Sequence, residues 1–135
     1  MEAIKFTLHC APRTKKNSQR LVRAGGRIIP IPSKQYKDYE RECIAQIPNE
    51  LRLKIDVPIN LCCVYYMPTR RRVDLCNLLE ATCDILVAAG VLADDNCTIV
   101  GAHDGSRVGY DKDVPRVEIT IEPYLSKKGG RIRNE

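Results

Sequence analysis

A chain of 135 residues can bury one core without disulfides or a structural metal, so a single domain is the simplest organisation. The formal charge is +5, but no long apolar run or basic amphipathic helix accompanies it, which argues against any membrane role and for a nucleic-acid partner. Seven cysteines form no Cys-x-x-Cys pair, only His9 and His103 could join them, and MEAIKFTLHC lacks an apolar secretory core; zinc is not indicated, and reduced, mostly buried thiols in a cytoplasmic protein are expected.

Residues 3–10 alternate, with Ile4, Phe6, Leu8 and Cys10 on one face and Lys5, Thr7 and His9 on the other, predicting a strand with one polar face. Pro12 ends it. The stretch PRTKKNSQR then mixes Arg13, Lys15, Lys16 and Arg20 with Asn17 and Ser18, so charge and directed hydrogen bonds are both available to phosphate oxygens. Residues 21–31 read as a hairpin turning at Gly25-Gly26, with Pro30 and Pro32 suggesting an edge. Ser33 caps a helix reaching about Gln46, in which Tyr36, Tyr39, Cys43 and Ile44 recur at helical spacing. After a connection over 49–58, residues 59–67 form a strand apolar on both faces, which places it centrally in a sheet and delivers the chain into Pro68 and the run Arg70, Arg71, Arg72.

The charge then changes sign. From Asp74 through Asn96 there are five acids, Asp74, Glu80, Asp84, Asp94 and Asp95, and no Lys or Arg; the remainder of the chain sets 22 bases against 12 acids. Cations beside clustered carboxylates suit a site that draws in a polyanion and holds a hard divalent cation. A helix is predicted here, with Asp74 at the N-cap position and Gly90 as the stop. At 100° per residue, Leu75, Leu78, Leu79, Thr82, Ile85, Leu86 and Ala89 form its apolar side, and Asn77, Glu80 and Asp84 share a narrow polar arc. Residues 97–102 read as a short strand, 103–116 as a polar loop carrying Lys112, and 117–122 as a last alternating strand. The expected class is α+β, one domain with helices packed against a mixed sheet, spanning 1–123, with 124–135 as a basic tail.

RRRVDLCNLLEATCDILVAAGVLADDN resembles the RusA-type Holliday junction endonucleases of bacteria and prophages in its arginines, its Asp-Leu-x-Asn-Leu helix start and its closing Asp-Asp, and PRTKKNSQR resembles their N-terminal loop. The likeness spans residues 4–123. It implies a homodimer that binds four-way DNA junctions and nicks them symmetrically with Mg²⁺ during recombination and repair. By matching position it makes Asp74 and Asp95 metal-binding aspartates, with Asp94 beside them. The usual pattern is Asp-x-Asp-Asn, with a lysine further along the helix; this chain has Asp74-Leu75-Cys76-Asn77 and Glu80. A thiol is a poor Mg²⁺ ligand. Two readings follow: Glu80, one turn beyond Cys76, or Asp84 supplies the oxygen, giving Asp74, Asp95 and Glu80 as catalytic residues; or the protein holds junctions without cutting them. In either reading Lys15, Lys16, Asn17, Arg70, Arg71, Arg72 and Lys112 are the candidate DNA contacts.

Overall fold

The computed structural model describes residues 1–15 and 19–124, so Lys16, Asn17 and residues 125–135 of the basic tail lie outside the described residues. The architecture is α+β, in the order β1 (Ile4–Leu8), β2 (Gln19–Ala24), β3 (Arg27–Pro32), α1 (Lys34–Gln46), β4 (Ile59–Met67), α2 (Leu75–Ala88), β5 (Val100–Ala102), β6 (Arg107–Tyr110) and β7 (Arg116–Pro123). Among the described residues β2 and β3 pair only with each other, around a turn in which Gly25 and Gly26 take φ of 56° and 78°, the left-handed values a two-residue hairpin turn needs.

The main sheet is organised around β4. β7 lies antiparallel along one side of it, from Ile59↔Pro123 to Tyr66↔Arg116, and β1 is antiparallel to β7. Its other side is shared by two short parallel strands, β5 at Ile59 and Asn60 and β6 from Val64 to Met67. Pairing on both sides makes β4 the central strand, but its two faces differ: Cys62, Val64 and Tyr66 on one are only partly buried. Ile59, Leu61, Cys63 and Tyr65 point into the core with Leu8 of β1 and Val117, Ile119 and Ile121 of β7, all at most 1% exposed. Both helices cover this face. Tyr36, Tyr39 and Cys43 face inward from α1, whose N-cap Ser33 accepts the Tyr36 amide at 3.1 Å.

α2 buries Leu78, Ala81, Thr82, Cys83, Ile85 and Leu86. Leu75 and Leu79, predicted for the apolar side, are only partly buried, because they lie at the flank of the contact. The Tyr65 hydroxyl donates to the Leu78 carbonyl at 3.0 Å and shares a 2.7 Å bond with the Thr82 hydroxyl. A buried tyrosine on the central strand thus fixes the height at which α2 sits. Gly90, at φ 81°, ends the helix, and the Val91 amide returns to the Leu86 carbonyl at 2.9 Å.

Two expectations are corrected. The polar loop over 103–116 contains β6, and the strand expected over 97–102 shrinks to Val100–Ala102 because a turn closed by Ile99 N–H to Asn96 O occupies its start. Parallel pairing with a strand some 40 residues away leaves no local signal, and four residues reading Arg-Val-Gly-Tyr are too few to show alternation.

Candidate active site

β4 ends at Met67 and the chain crosses Pro68 and the three arginines before α2 begins. Asp74 occupies the N-cap position, where its carbonyl accepts the Asn77 and Leu78 amides at 3.1 Å. Its carboxylate does not cap the helix; Oδ2 instead accepts the Asn77 side-chain amide at 3.3 Å. An acid at N-cap that leaves backbone donors to other partners is available for a ligand. Cys76 and Glu80 are exposed on the same helix, and Asn77 and Asp84 are partly exposed, so the predicted polar arc does face solvent.

The segment after α2 treats its two aspartates differently. Asp94 is consumed by its own turn: Oδ1 accepts the Asp95 amide at 2.8 Å and Oδ2 accepts the Asn96 side-chain amide at 3.1 Å. Asp95 is exposed, and its carboxylate makes no hydrogen bond or ion pair with another described residue. The turn is anchored before and after this point, by Ala93 N–H to Ile55 O at 2.9 Å and Ile59 N–H to Ile99 O at 2.7 Å. Asp95 is close enough to α2 for its charge to be felt at Cys83, whose thiol is pushed up to about 12 by burial first, and then by the charges of Asp95, Asp84 and Glu80. These three acids therefore share one electrostatic neighbourhood.

Lys15 enters that neighbourhood from the loop after β1. Its ammonium meets Asp84 Oδ2 at 2.7 Å and lies 5.8 Å from the centre of the Tyr36 ring. The bond to Asp84 raises the lysine pKa despite partial burial, and the charges of Asp84, Glu40 and Glu80 add to the effect. With both side chains about one-third exposed, 36% and 33%, such a pair contributes about 0–1 kcal/mol to stability. Its consequence is positional: it ties the basic loop to the acidic helix.

The arginine run divides. Arg71 and Arg72 line a cleft of about 350 Å³ against residues 11–14, so they share its wall with Arg13. Arg70 turns the other way, with its guanidinium carbon 4.2 Å from the centroid of Tyr110 on β6. Arg13, one of several cations in PRTKKNSQR, and Tyr110, a single aromatic in a polar stretch, carry no signal in the sequence that sets them apart. A basic stretch on each side of the cleft was visible; that the stretches would face each other was not. Lys112 is exposed on the turn after β6.

The donors suit a hard cation, since Asp74, Asp95 and Glu80 offer only carboxylate oxygens. Among the described residues no three His, Cys, Asp or Glu side chains are gathered closely enough to hold a metal as a cage. Mg²⁺ does not require one, because it commonly takes one or two carboxylates and completes its shell with water and phosphate oxygens. In donor chemistry Asp74, Asp95 and Glu80 match that mode, each offering carboxylate oxygens from an exposed position. Of the thiols, Cys10, Cys43, Cys63 and Cys83 are buried and Cys62 is intermediate, whereas Cys76 and Cys97 are exposed, so burial holds for most of the set and fails on Cys76, near the start of the acidic segment, and Cys97, just after its end. Among the described residues no helix is long and apolar enough to cross a membrane.

Comparison with known proteins matches residues 10–122 to the family model described as endodeoxyribonuclease RusA. A relative from Aquifex aeolicus (strain VF5), described as crossover junction endodeoxyribonuclease RusA, is 29% identical over 128 residues, covering 93% of this chain and 96% of that protein.

Proposed function

The chain belongs to the RusA endodeoxyribonuclease family, and from that premise we propose that it is a Mg²⁺-dependent endonuclease that resolves four-way DNA junctions by paired nicks. One observation carries the reading: the two basic loops meet across a single cleft, lined by Arg13, Arg71 and Arg72, at the end of the strand that leads into the acidic helix. A phosphodiester drawn into that cleft is brought beside carboxylates without passing over the apolar core.

Asp74 and Asp95 are the proposed metal ligands, with Glu80 as the acid that takes over from the carboxylate absent at Cys76. When bound, the ion supplies Lewis-acid activation of water and neutralises charge on the attacked phosphate. Arg13, Arg71 and Arg72 hold neighbouring phosphates, a sequence-independent contact that fixes the strand in register. Asp94 is a turn former in this scheme, and Asp84 is occupied by Lys15; both leave the ligand set first expected. Lys15 moderates the negative face of α2 so that a phosphate can approach it. Lys16, Asn17 and Lys112 remain proposed backbone contacts, and a homodimer remains the proposed assembly.

The second reading, a junction-binding protein without cleavage, is favoured by the single fact of exposed Cys76 where a carboxylate would serve. One experiment separates the two. A labelled four-way junction and a linear duplex are incubated with the protein with and without Mg²⁺; paired nicks in the junction alone support the enzyme, and tight junction binding without nicks at any Mg²⁺ concentration supports the binder.

A further inference from the structure

Two arginines rest on tyrosine rings, Arg116 at 4.0 Å from the centre of Tyr66 and Arg70 at 4.2 Å from that of Tyr110, but Arg116 is ion-paired to Asp111 and Glu118, whereas among the described residues no carboxylate pairs with Arg70. Tyr110 stands opposite Met67 in the parallel β4–β6 pairing, so its side chain leaves the sheet on the helix-covered side, as does that of Val108, opposite Tyr65. Both keep a solvent-facing part: Val108 is 41% exposed and Tyr110 39%. The position is rigid, because the Asp111 amide donates to the Met67 carbonyl at 2.9 Å, and the turn beyond is held by Asp111 Oδ1 accepting the Asp113 and Val114 amides and by the Arg116–Asp111 ion pair at 2.9 Å. Onto this ring the chain lays one of its three consecutive arginines, while the other two line the cleft.

A cation intended only for a phosphate gains reach from a flexible, solvated side chain. Arg70 gives up that freedom to rest on an aromatic, with an exposed valine on the same strand. A planar cation backed by a tyrosine and bordered by an apolar side chain matches the face of a nucleobase, which stacks on arginine and aromatic planes without any hydrogen-bond code. Bases in an unbroken duplex offer no free face. At the branch of a junction, where one stack ends and the next begins, a face is open.

We propose that Arg70 and Tyr110 form a stacking subsite for an unstacked nucleobase at the branch point, on the far side of the arginine loop from the phosphate cleft. The subsite rests on the junction-nuclease reading and deepens it, making the preference for branched DNA a matter of an exposed base face and leaving sequence unread. Ordering Arg70 on Tyr110 before DNA arrives lowers the entropy lost on binding.

The chain contains no tryptophan, so Tyr110→Trp places a single indole at the subsite. With EDTA present to prevent cutting, addition of a four-way junction is expected to quench its emission, and an equal concentration of linear duplex is not. In parallel, Tyr110→Ala should lose roughly tenfold of the junction-over-duplex affinity ratio, within the range for one base–aromatic stack. Arg70→Lys, which keeps the charge and loses the plane, should share that loss. Emission unchanged by the junction, or an affinity ratio unaltered in both Tyr110→Ala and Arg70→Lys, overturns the subsite while leaving the junction reading intact. A wild-type protein with no preference for the junction over duplex overturns the reading on which the subsite depends.

Discussion

Asp94 and Asp95 are neighbours of identical chemistry, and the hydrogen bonds around them assign them different work. Both oxygens of Asp94 are engaged within its turn, and the Asp95 carboxylate has no such partner among the described residues. Asp95→Asn is therefore expected to reduce Mg²⁺-dependent junction cleavage by at least about 100-fold, a loss on the scale of a removed metal ligand, with junction affinity kept or raised. Asp94→Asn should retain most of the cleavage rate, since an amide oxygen can still accept the Asp95 amide; equal losses in the two variants would refute the distinction. Glu80→Gln tests the departure at Cys76. It should damage cleavage about as much as Asp74→Asn, with partial recovery when Cys76→Asp is added, and a fully active Glu80→Gln protein would make Glu80 an ordinary surface acid. The thiols report on the core. At pH 8 a maleimide should modify Cys76 and Cys97 first, because burial pushes the Cys63 and Cys83 thiols up to about 12 and also raises those of Cys10 and Cys43; peptide mass spectrometry showing early modification of Cys63 would contradict the packing of β4 against the helices.

Among the elements, the loop from Pro68 to Asp74 sets three consecutive arginines before the acidic helix. Neutralising Arg71 and Arg72 together should weaken binding to every DNA sequence and lower the logarithmic salt slope by about one unit for each phosphate left without its cation. Salt titrations that leave the slope unchanged would move the phosphate path away from the cleft. The division of the arginine run could not be read from three identical letters, since it depends on which strand borders each side of the loop. By contrast α1 and α2 were legible because their signals are local: the 3.6-residue apolar stripe, Ser33 at one start and Gly90 at the other end. Even there the local rule failed once. Asp74 has the identity and position of a capping residue, yet its side chain is turned to Asn77.

For the whole molecule, symmetric nicking of a four-armed substrate needs two sites held across it, so a dimer is the expected assembly. Analytical sedimentation should give about twice the chain mass of 15.3 kDa, free or on a junction, and a monomer in both states would remove the basis for paired nicks.

The class of fold, the central place of the 59–67 strand, the acidic helix and the RusA resemblance were all determined by residue order, because each rests on periodicity or on contiguous motif residues. Tertiary structure alone decided the rest. β6 exists because β4 has an open side next to it, and Lys15 meets Asp84 across 69 residues of chain. The basic loops share a cleft, and Arg70 lies on Tyr110, because the end of β4 brings separate segments together. Periodicity says which way a side chain points from its own element; which partner it meets depends on how distant elements pack, and a polar side chain's partner determines whether it is free for chemistry.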